Sequence, residues 1–276
     1  EALLRAGVAL GLLKRFSGGS KYGLTVRGAS LLGVPGLVEL ILHHRHFYRD
    51  MEDPVLLLKG EVDTELSKFW PYVLEGQGEV SDDAVADYSV LMEKTQKLVV
   101  QDTLKMISLD GVENLMDVGG GSGNFAIAAA KRYKNLRVTV LDLPGVEVLA
   151  NQRISDEDLS KRISFFPCSF KEHSLPLGSD AITLVRILYD HAEDTVRDLL
   201  TKIYRALPSG GRLIISEPMA GDYRPNKSGD IYFSFYTMAM RTGKARSANQ
   251  IEVLCREVGF SYVNKYKPIR NFITSV

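Results

Sequence analysis

Apolar residues recur at helical spacing from Leu3 to Leu13, and the pattern stops at residues 17–20, SGGS. Tyr22, Leu24 and Val26 then alternate as they would in a strand. Helix, tight turn and short strand together predict part of a winged-helix unit over residues 1–33. Residues 34–105 read as helices interrupted near Pro54, Pro71 and a glycine turn at 76–78. From Asn114 the texture changes to short β-rich runs, LMDV, RVTVLDL, SFF, AITLVRIL and RLIISE. Helical patterns lie between them, one reaching Ala130, one following Pro144 and one reaching Ala206. That alternation predicts βαβ units and a parallel sheet covered on both faces, so residues 106–276 are expected to form an α/β domain. A last helix is expected over residues 250–258, ended by Gly259, and residues 262–266 with 272–276 are expected to form a closing antiparallel hairpin.

Charge alters this picture by exclusion. Acidic and basic residues balance at 34 each, so no field of one sign invites nucleic acid or an anionic membrane. Lys14, Arg15, Lys21 and Arg27 are too dispersed for the winged-helix part to be a DNA reader. A small-molecule partner is the expectation. Cys168 and Cys255 lack any CxxC spacing, which points to free thiols in a reducing cytoplasm rather than to disulfides or structural zinc. No apolar run approaches the roughly 18 residues of a membrane span, and no charged-then-apolar leader precedes the first unit. Glu1 opens the chain inside an apolar pattern, which reads as a protein missing an N-terminal part.

Chemistry first appears at the motif running from Asp117 through Gly119, Gly121 and Gly123, between a predicted strand and a predicted helix. Glycines there let the chain turn sharply and let backbone approach a ligand. Asp142 ends the next strand, where a carboxylate accepts hydrogen bonds from both hydroxyls of a ribose. These features predict an adenosine site at the carboxyl edge of the sheet. Gly121-x-Gly123-x-x-Ala126 also satisfies the relaxed dinucleotide fingerprint, so an NAD(P)-dependent oxidoreductase stays open on spacing alone, as does a ligand-responsive winged-helix regulator. Asp117 favours a cationic ligand, S-adenosylmethionine, because a carboxylate before the glycines would repel a pyrophosphate.

The segments LMDVGGGSGNFAIAAA, VLDLPGV, LVRILYDHAED and RALPSGGRLIISEPM resemble the large S-adenosylmethionine-dependent O-methyltransferase family that includes plant caffeic acid O-methyltransferase. The resemblance implies a Rossmann-like catalytic domain, a dimer made through the N-terminal part, and a hydrophobic hydroxylated substrate. HFYRDMEDPVLLLKGEVDTELSKFWPY and DIYFSFYTMAM resemble the branch of the family acting on acyclic hydroxycarotenoids, with bacteriochlorophyll, phenolic or polyketide methylation as the alternative. Such a substrate implies peripheral access to a membrane without a span. Carried over residue by residue, the resemblance assigns the donor to Gly119, Gly121, Gly123, Asp142 and Leu143, in part to Ser169 and Phe170, and to Arg186 near a family Lys or Arg position.

Methyl transfer to a hydroxyl needs alignment, a water-poor site and a proton acceptor. The family's usual base is the His of an HDW-type motif, and the stretch here reads Tyr189-Asp190-His191. Alignment favours Tyr189, whereas titration favours His191, since a neutral imidazole is ready to accept and a neutral phenol is not. An extended segment would put both on one side; a helical turn would separate them. Glu217 matches a family glutamate that braces the base. The alternative is that Tyr189 positions substrate, His191 caps a helix and proximity dominates. Residues 231–240, IYFSFYTMAM, read as a buried helix or the wall of a greasy pocket. Glu39, His43, His46 and Asp50 share a helical face; a metal is not expected, and the face is expected to lie beside the site.

Overall fold

A computed structural model describes residues 1–34, 36–69, 95–270 and 274–276. The expected breaks at Pro71 and residues 76–78, and Phe272 and Ile273 of the expected hairpin, lie outside them.

Helix α1 (Ala2–Ala9) leads into an antiparallel pair, β1 (Leu13–Arg15) and β2 (Tyr22–Leu24), with Leu13 opposite Leu24 and Arg15 opposite Tyr22. The helix ends earlier than its apolar spacing suggests because Gly11 takes φ of +68°, so Leu13 begins a strand instead of a third turn. Val26, expected in the strand, starts helix α2 (Val26–Gly33), since the Thr25 hydroxyl accepts from Gly28 N at 3.0 Å and caps it. Helices α3 (Leu37–Asp50), α4 (Pro54–Lys59) and α5 (Glu65–Phe69) follow. Asp50 accepts from Glu65 N at 2.6 Å and Leu66 N at 2.9 Å, satisfying the free amides that open α5.

Residues 95–106 are helical and form α6. The sequence-based boundary at 105 cuts near its end, yet Val99, Val100, Leu104 and Ile107 pack into the same core as the sheet, so α6 is structurally part of the catalytic unit. The sheet comprises β3 (Asn114–Val118), β4 (Arg137–Asp142), β5 (Ile163–Pro167), β6 (Ala181–Val185) and β7 (Arg212–Ser216), all parallel in the order β5-β4-β3-β6-β7. The α/β expectation holds. Helices α7 (Asn124–Arg132) and α8 (Glu147–Asp156) join α6 on one face, with Phe125, Ile127, Ile154 and Val140 in contact. On the other, α9 (Glu193–Ala206) and α11 (Ala248–Val258) cover Met116, Val118, Ile182 and Leu184 with Leu199, Ile203 and Leu254. Near-continuous apolar strands are what two-sided burial requires.

The last strand of the AITLVRIL run stops at Val185, and residues 188–190 form a 3-10 turn instead of extending the sheet. The IYFSFYTMAM segment is helical, but as a π-helix (Lys227–Phe233) followed by α10 (Ser234–Ala239). Of the expected closing hairpin the described residues show a bond between its two arms, from Tyr266 N to Val276 O at 2.9 Å, and an antiparallel bridge between Glu217 and Ser275. A buried hydroxyl chain seals this end: Thr103 meets Ser216 at 2.6 Å, and Ser216 meets Thr274 at 2.8 Å. Arg270 pairs with buried Asp102 at 2.6 Å and 2.8 Å.

Among the described residues no single helix is long and apolar enough to cross a membrane.

Candidate active site

Strands β4 and β5 run to one side of β3, and β6 and β7 to the other, so connections part above the carboxyl ends of β3 and β6 and leave a crevice there. The glycine loop fills the edge of that crevice. Gly119, Gly121 and Gly123 have φ of +69°, +55° and +83°, a region in which an L side chain is strained. At Gly119 a Cβ would also come within 2.3 Å of Ile187 Cδ1, whereas at Gly121 nothing lies within 4 Å, leaving its backbone open to a ligand. Arg153 supports the loop from α8, donating to Ser122 Oγ at 2.6 Å and Asn124 Oδ1 at 2.9 Å.

Asp117 pairs in register with Thr183 across β3 and β6, and the Thr183 hydroxyl donates to its Oδ1 at 2.7 Å. Its Oδ2 has no hydrogen-bond partner although the residue is only 1 % exposed. Burial, with Asp142 adding repulsion, pushes this carboxyl up to about 7. An orphaned, buried carboxylate oxygen next to an open glycine loop is a place for a cationic group. Asp142 is pinned by Gly121 N at 2.6 Å and Leu143 N at 2.7 Å, and each oxygen retains acceptor capacity for a hydroxyl. Burial raises its pKa, partly opposed by those amides. On the same side of the crevice as Asp142, Ser169 and Phe170 follow β5, Phe170 packing against the sheet core while Ser169 O closes a turn by accepting from His173 N at 3.1 Å.

The turn after β6 separates the two candidate bases. His191 sets its ring against Phe170 at 5.3 Å between centroids, edge to face. Tyr189 instead meets Phe233 at 5.7 Å, edge to face. The helical alternative therefore describes this stretch, and 189 and 191 do not share a side. Burial, with Lys171 and Arg246 nearby, lowers His191 to about 4, so it is neutral at pH 7. Burial and the adjacent Asp190 push Tyr189 well above the phenol range.

Glu217 braces this turn, but through backbone rather than through an imidazole: its Oε1 accepts from Ile187 N at 2.8 Å and Leu188 N at 2.7 Å. It is 1 % exposed, and burial pushes it up to about 7. Arg246 holds the turn from the other end, donating to Leu188 O at 2.8 Å and His191 O at 3.2 Å. Arg186 adopts φ of +63°, which swings its guanidinium over the Phe233 ring at 5.1 Å and the Tyr189 ring at 5.9 Å.

The aromatic segment after β7 packs partly into the core and partly toward the turn. Phe233, Tyr236 and Met240 are buried, while Tyr232, Phe235 and Met238 are half-buried. Helix α3 lies against it: His43 Nε2 meets the Tyr236 hydroxyl at 2.6 Å and His44 Nε2 the Tyr232 hydroxyl at 2.9 Å. The remaining members of the acidic-histidine face are engaged elsewhere, His46 with Glu65 at 2.7 Å and Asp50 at the start of α5. Thr183, Arg153, Arg246, Tyr232 and His44 were not singled out by sequence, since their partners lie 29 to 188 residues away.

A strand-end carboxylate, a glycine loop and an orphaned buried acid define a methyl-donor pocket, and the wider comparison agrees. Residues 48–261 match the O-methyltransferase domain, so the chain belongs to the O-methyltransferase family, with S-adenosylmethionine as its donor. It is 45 % identical over 275 residues to demethylspheroidene O-methyltransferase of Cereibacter sphaeroides, covering 100 % of this chain and 72 % of that protein. The enzyme of the same name from Rhodobacter capsulatus is 44 % identical over 274 residues, 99 % of this chain and 68 % of the relative. Human N-acetylserotonin methyltransferase, solved in complex with S-adenosylmethionine, shares the fold with a TM-score of 0.81 at 22 % identity, covering 99 % of this chain and 80 % of that one.

Proposed function

We propose that this chain methylates a hydroxyl of an acyclic hydroxycarotenoid. The observation that carries this is the 45 % identity extending over the whole chain, α3 and the aromatic segment included, to an enzyme named for such a substrate. Bound S-adenosylmethionine supplies an activated methyl group on a sulfonium. Asp142 accepts from the ribose hydroxyls, Asp117 Oδ2 faces the cationic amino acid end, Gly121 leaves room for the donor, and Gly119 makes the tight turn under Ile187 that shapes the loop. Leu143, Ser169 and Phe170 wall the adenine side, and His191, set against Phe170, belongs with them. Tyr189, Arg186 and Phe233 border the acceptor, whose long apolar body lies along the π-helix and α10. Glu217 fixes the turn that divides the two sides.

This reading places the protein in the cytoplasm with access to a membrane-borne substrate. It includes a homodimer formed through residues 1–33, where α1 buries none of its side chains and Leu3 is 88 % exposed.

The test is transfer of a labelled methyl group to a panel of hydroxylated acyclic carotenoids, phenols and chlorins. Label on the carotenoid hydroxyl supports the reading. Label confined to phenols or to a chlorin carbon removes the carotenoid assignment and leaves the family intact.

A further inference from the structure

Methyl transfer to an un-ionised hydroxyl leaves a proton that some group must take, and the turn after β6 offers a poor acceptor. Tyr189 is a neutral phenol whose neighbour, Asp190, is itself held well above the ordinary carboxylate range by burial and by Glu217, which favours its protonated form. His191 turns toward Phe170, away from the aromatic segment.

A different pair is built for the task. His44 Nδ1 lies 2.6 Å from Leu40 O, a carbonyl that only accepts, so Nδ1 carries the proton. Nε2 is then a bare acceptor, and the Tyr232 hydroxyl, 2.9 Å away, donates to it. Tyr232 Oη keeps a lone pair for a second hydrogen bond. Burial holds His44 below the ordinary imidazole value, with the Leu40 bond opposing, so it is neutral and able to receive a proton. The neighbouring His43 and Tyr236 also meet, at 2.6 Å, but are sealed at 7 % and 5 % exposed, whereas His44 and Tyr232 are only half-buried. Tyr232 also belongs to the acceptor side: its ring lies 4.8 Å from Phe233, which in turn contacts Tyr189 and Arg186.

We infer that Tyr232 and His44 form the proton relay of this enzyme, Tyr232 touching the acceptor hydroxyl and His44 standing behind it. The inference rests on the methyl-transfer reading above. As the acceptor oxygen bonds to the methyl carbon, the carbon–sulfur bond breaks and its electron pair stays on sulfur. The acceptor proton passes to Tyr232 Oη, and the Tyr232 proton passes to His44 Nε2. The positive charge that leaves the sulfonium thus ends on the His44 imidazolium, which gives its extra proton to solvent before the next turnover.

The test combines single-turnover rates with donor binding and nitrogen spectroscopy on the whole chain. Tyr232→Phe is expected to slow transfer about 100-fold or more, the usual scale of general-base removal. His44→Gln, whose amide oxygen still accepts from Tyr232 but cannot hold a proton, is expected to do the same, and the double variant to be no slower than either single one. S-adenosylhomocysteine should bind all three within about twofold of the parent, because neither side chain contacts the donor loop. In the ¹⁵N spectrum of the parent without donor, His44 should be neutral with its proton on Nδ1. Transfer retained within about threefold in either single variant, or a His44 protonated on Nε2, overturns the relay. A parent that binds S-adenosylhomocysteine but methylates no hydroxyl overturns the methyl-transfer reading, and the relay with it.

Discussion

Asp117 gives the donor pocket a pH dependence that can be worked from its surroundings. Its ordinary pKa of 3.8 is raised to about 7 by burial, the Thr183 hydroxyl offsetting only part of the effect. In the free protein the sign is unfavourable to ionisation. Stability from this group is fullest below 3.8 and is lost as pH rises toward 7, a span equivalent to about 4 kcal/mol. A cationic ligand reverses the balance, because it binds the ionised form and drives the proton off. If binding requires the carboxylate, the apparent dissociation constant scales as one plus the ratio of protonated to ionised enzyme. Between about pH 5.5 and about pH 7.5 it then tightens about 25-fold, or about 1.9 kcal/mol. Calorimetric titration with S-adenosylhomocysteine, repeated in two buffers of different ionisation heat, measures both the affinity and the proton released. Asp117→Asn should bind more weakly at the upper pH and lose most of this slope, which separates Asp117 from Asp142, also raised by burial. A dissociation constant flat across that range in the parent, or an unchanged slope in Asp117→Asn, would refute the assignment of Asp117 to the cationic end.

Three further variants probe separate parts of the site. His191→Ala should weaken S-adenosylhomocysteine binding about tenfold while leaving the single-turnover rate at saturating donor within about threefold, since the ring packs against Phe170 rather than against the acceptor side; the opposite split would return His191 to the role of base. Gly119→Ala combines a φ of +69° with a Cβ 2.3 Å from Ile187 Cδ1, so donor binding should fall at least about tenfold and the thermal midpoint should drop, by about 1–3 kcal/mol of strain. Arg246→Met leaves Leu188 O and His191 O without their guanidinium donor, which should cost about 1–3 kcal/mol in denaturant unfolding and lower turnover more than donor affinity.

The sheet and the donor loop were legible because their physical causes are local. A parallel strand buried on both faces needs a near-continuous apolar run, and LMDV and AITLV supply it, broken only at Asp117 and Thr183; a loop that turns at positive φ needs glycine, and 119, 121 and 123 supply it. Asp142 was legible by its distance along the chain from those glycines. The direction of Tyr189 and His191 was not, because it depends on whether residues 186–190 extend or coil. That choice is made by Glu217, whose carboxylate gathers the amides of Ile187 and Leu188 from 30 and 29 residues away. The same glutamate was expected to hold an imidazole, and side-chain spacing gives no sign that a backbone amide will take its place. The π-helix at Lys227–Phe233 was likewise hidden, since its apolar spacing differs little from that of an α-helix over seven residues. His44 was not legible because helical spacing groups His43 with His46 on one face, whereas His44 lies off that face and meets Tyr232, 188 residues away.

A crystal structure of the protein with S-adenosylhomocysteine and a hydroxylated acyclic polyene would bear most directly on the division of the crevice into a donor side and an acceptor side. The ribose hydroxyls should lie on Asp142, the ammonium group near Asp117 Oδ2, and the sulfur should point into the space bordered by Tyr189 and Tyr232 with the polyene hydroxyl beyond it. A sulfur directed at Phe170 and His191, or a polyene seated away from the π-helix and α10, would contradict it.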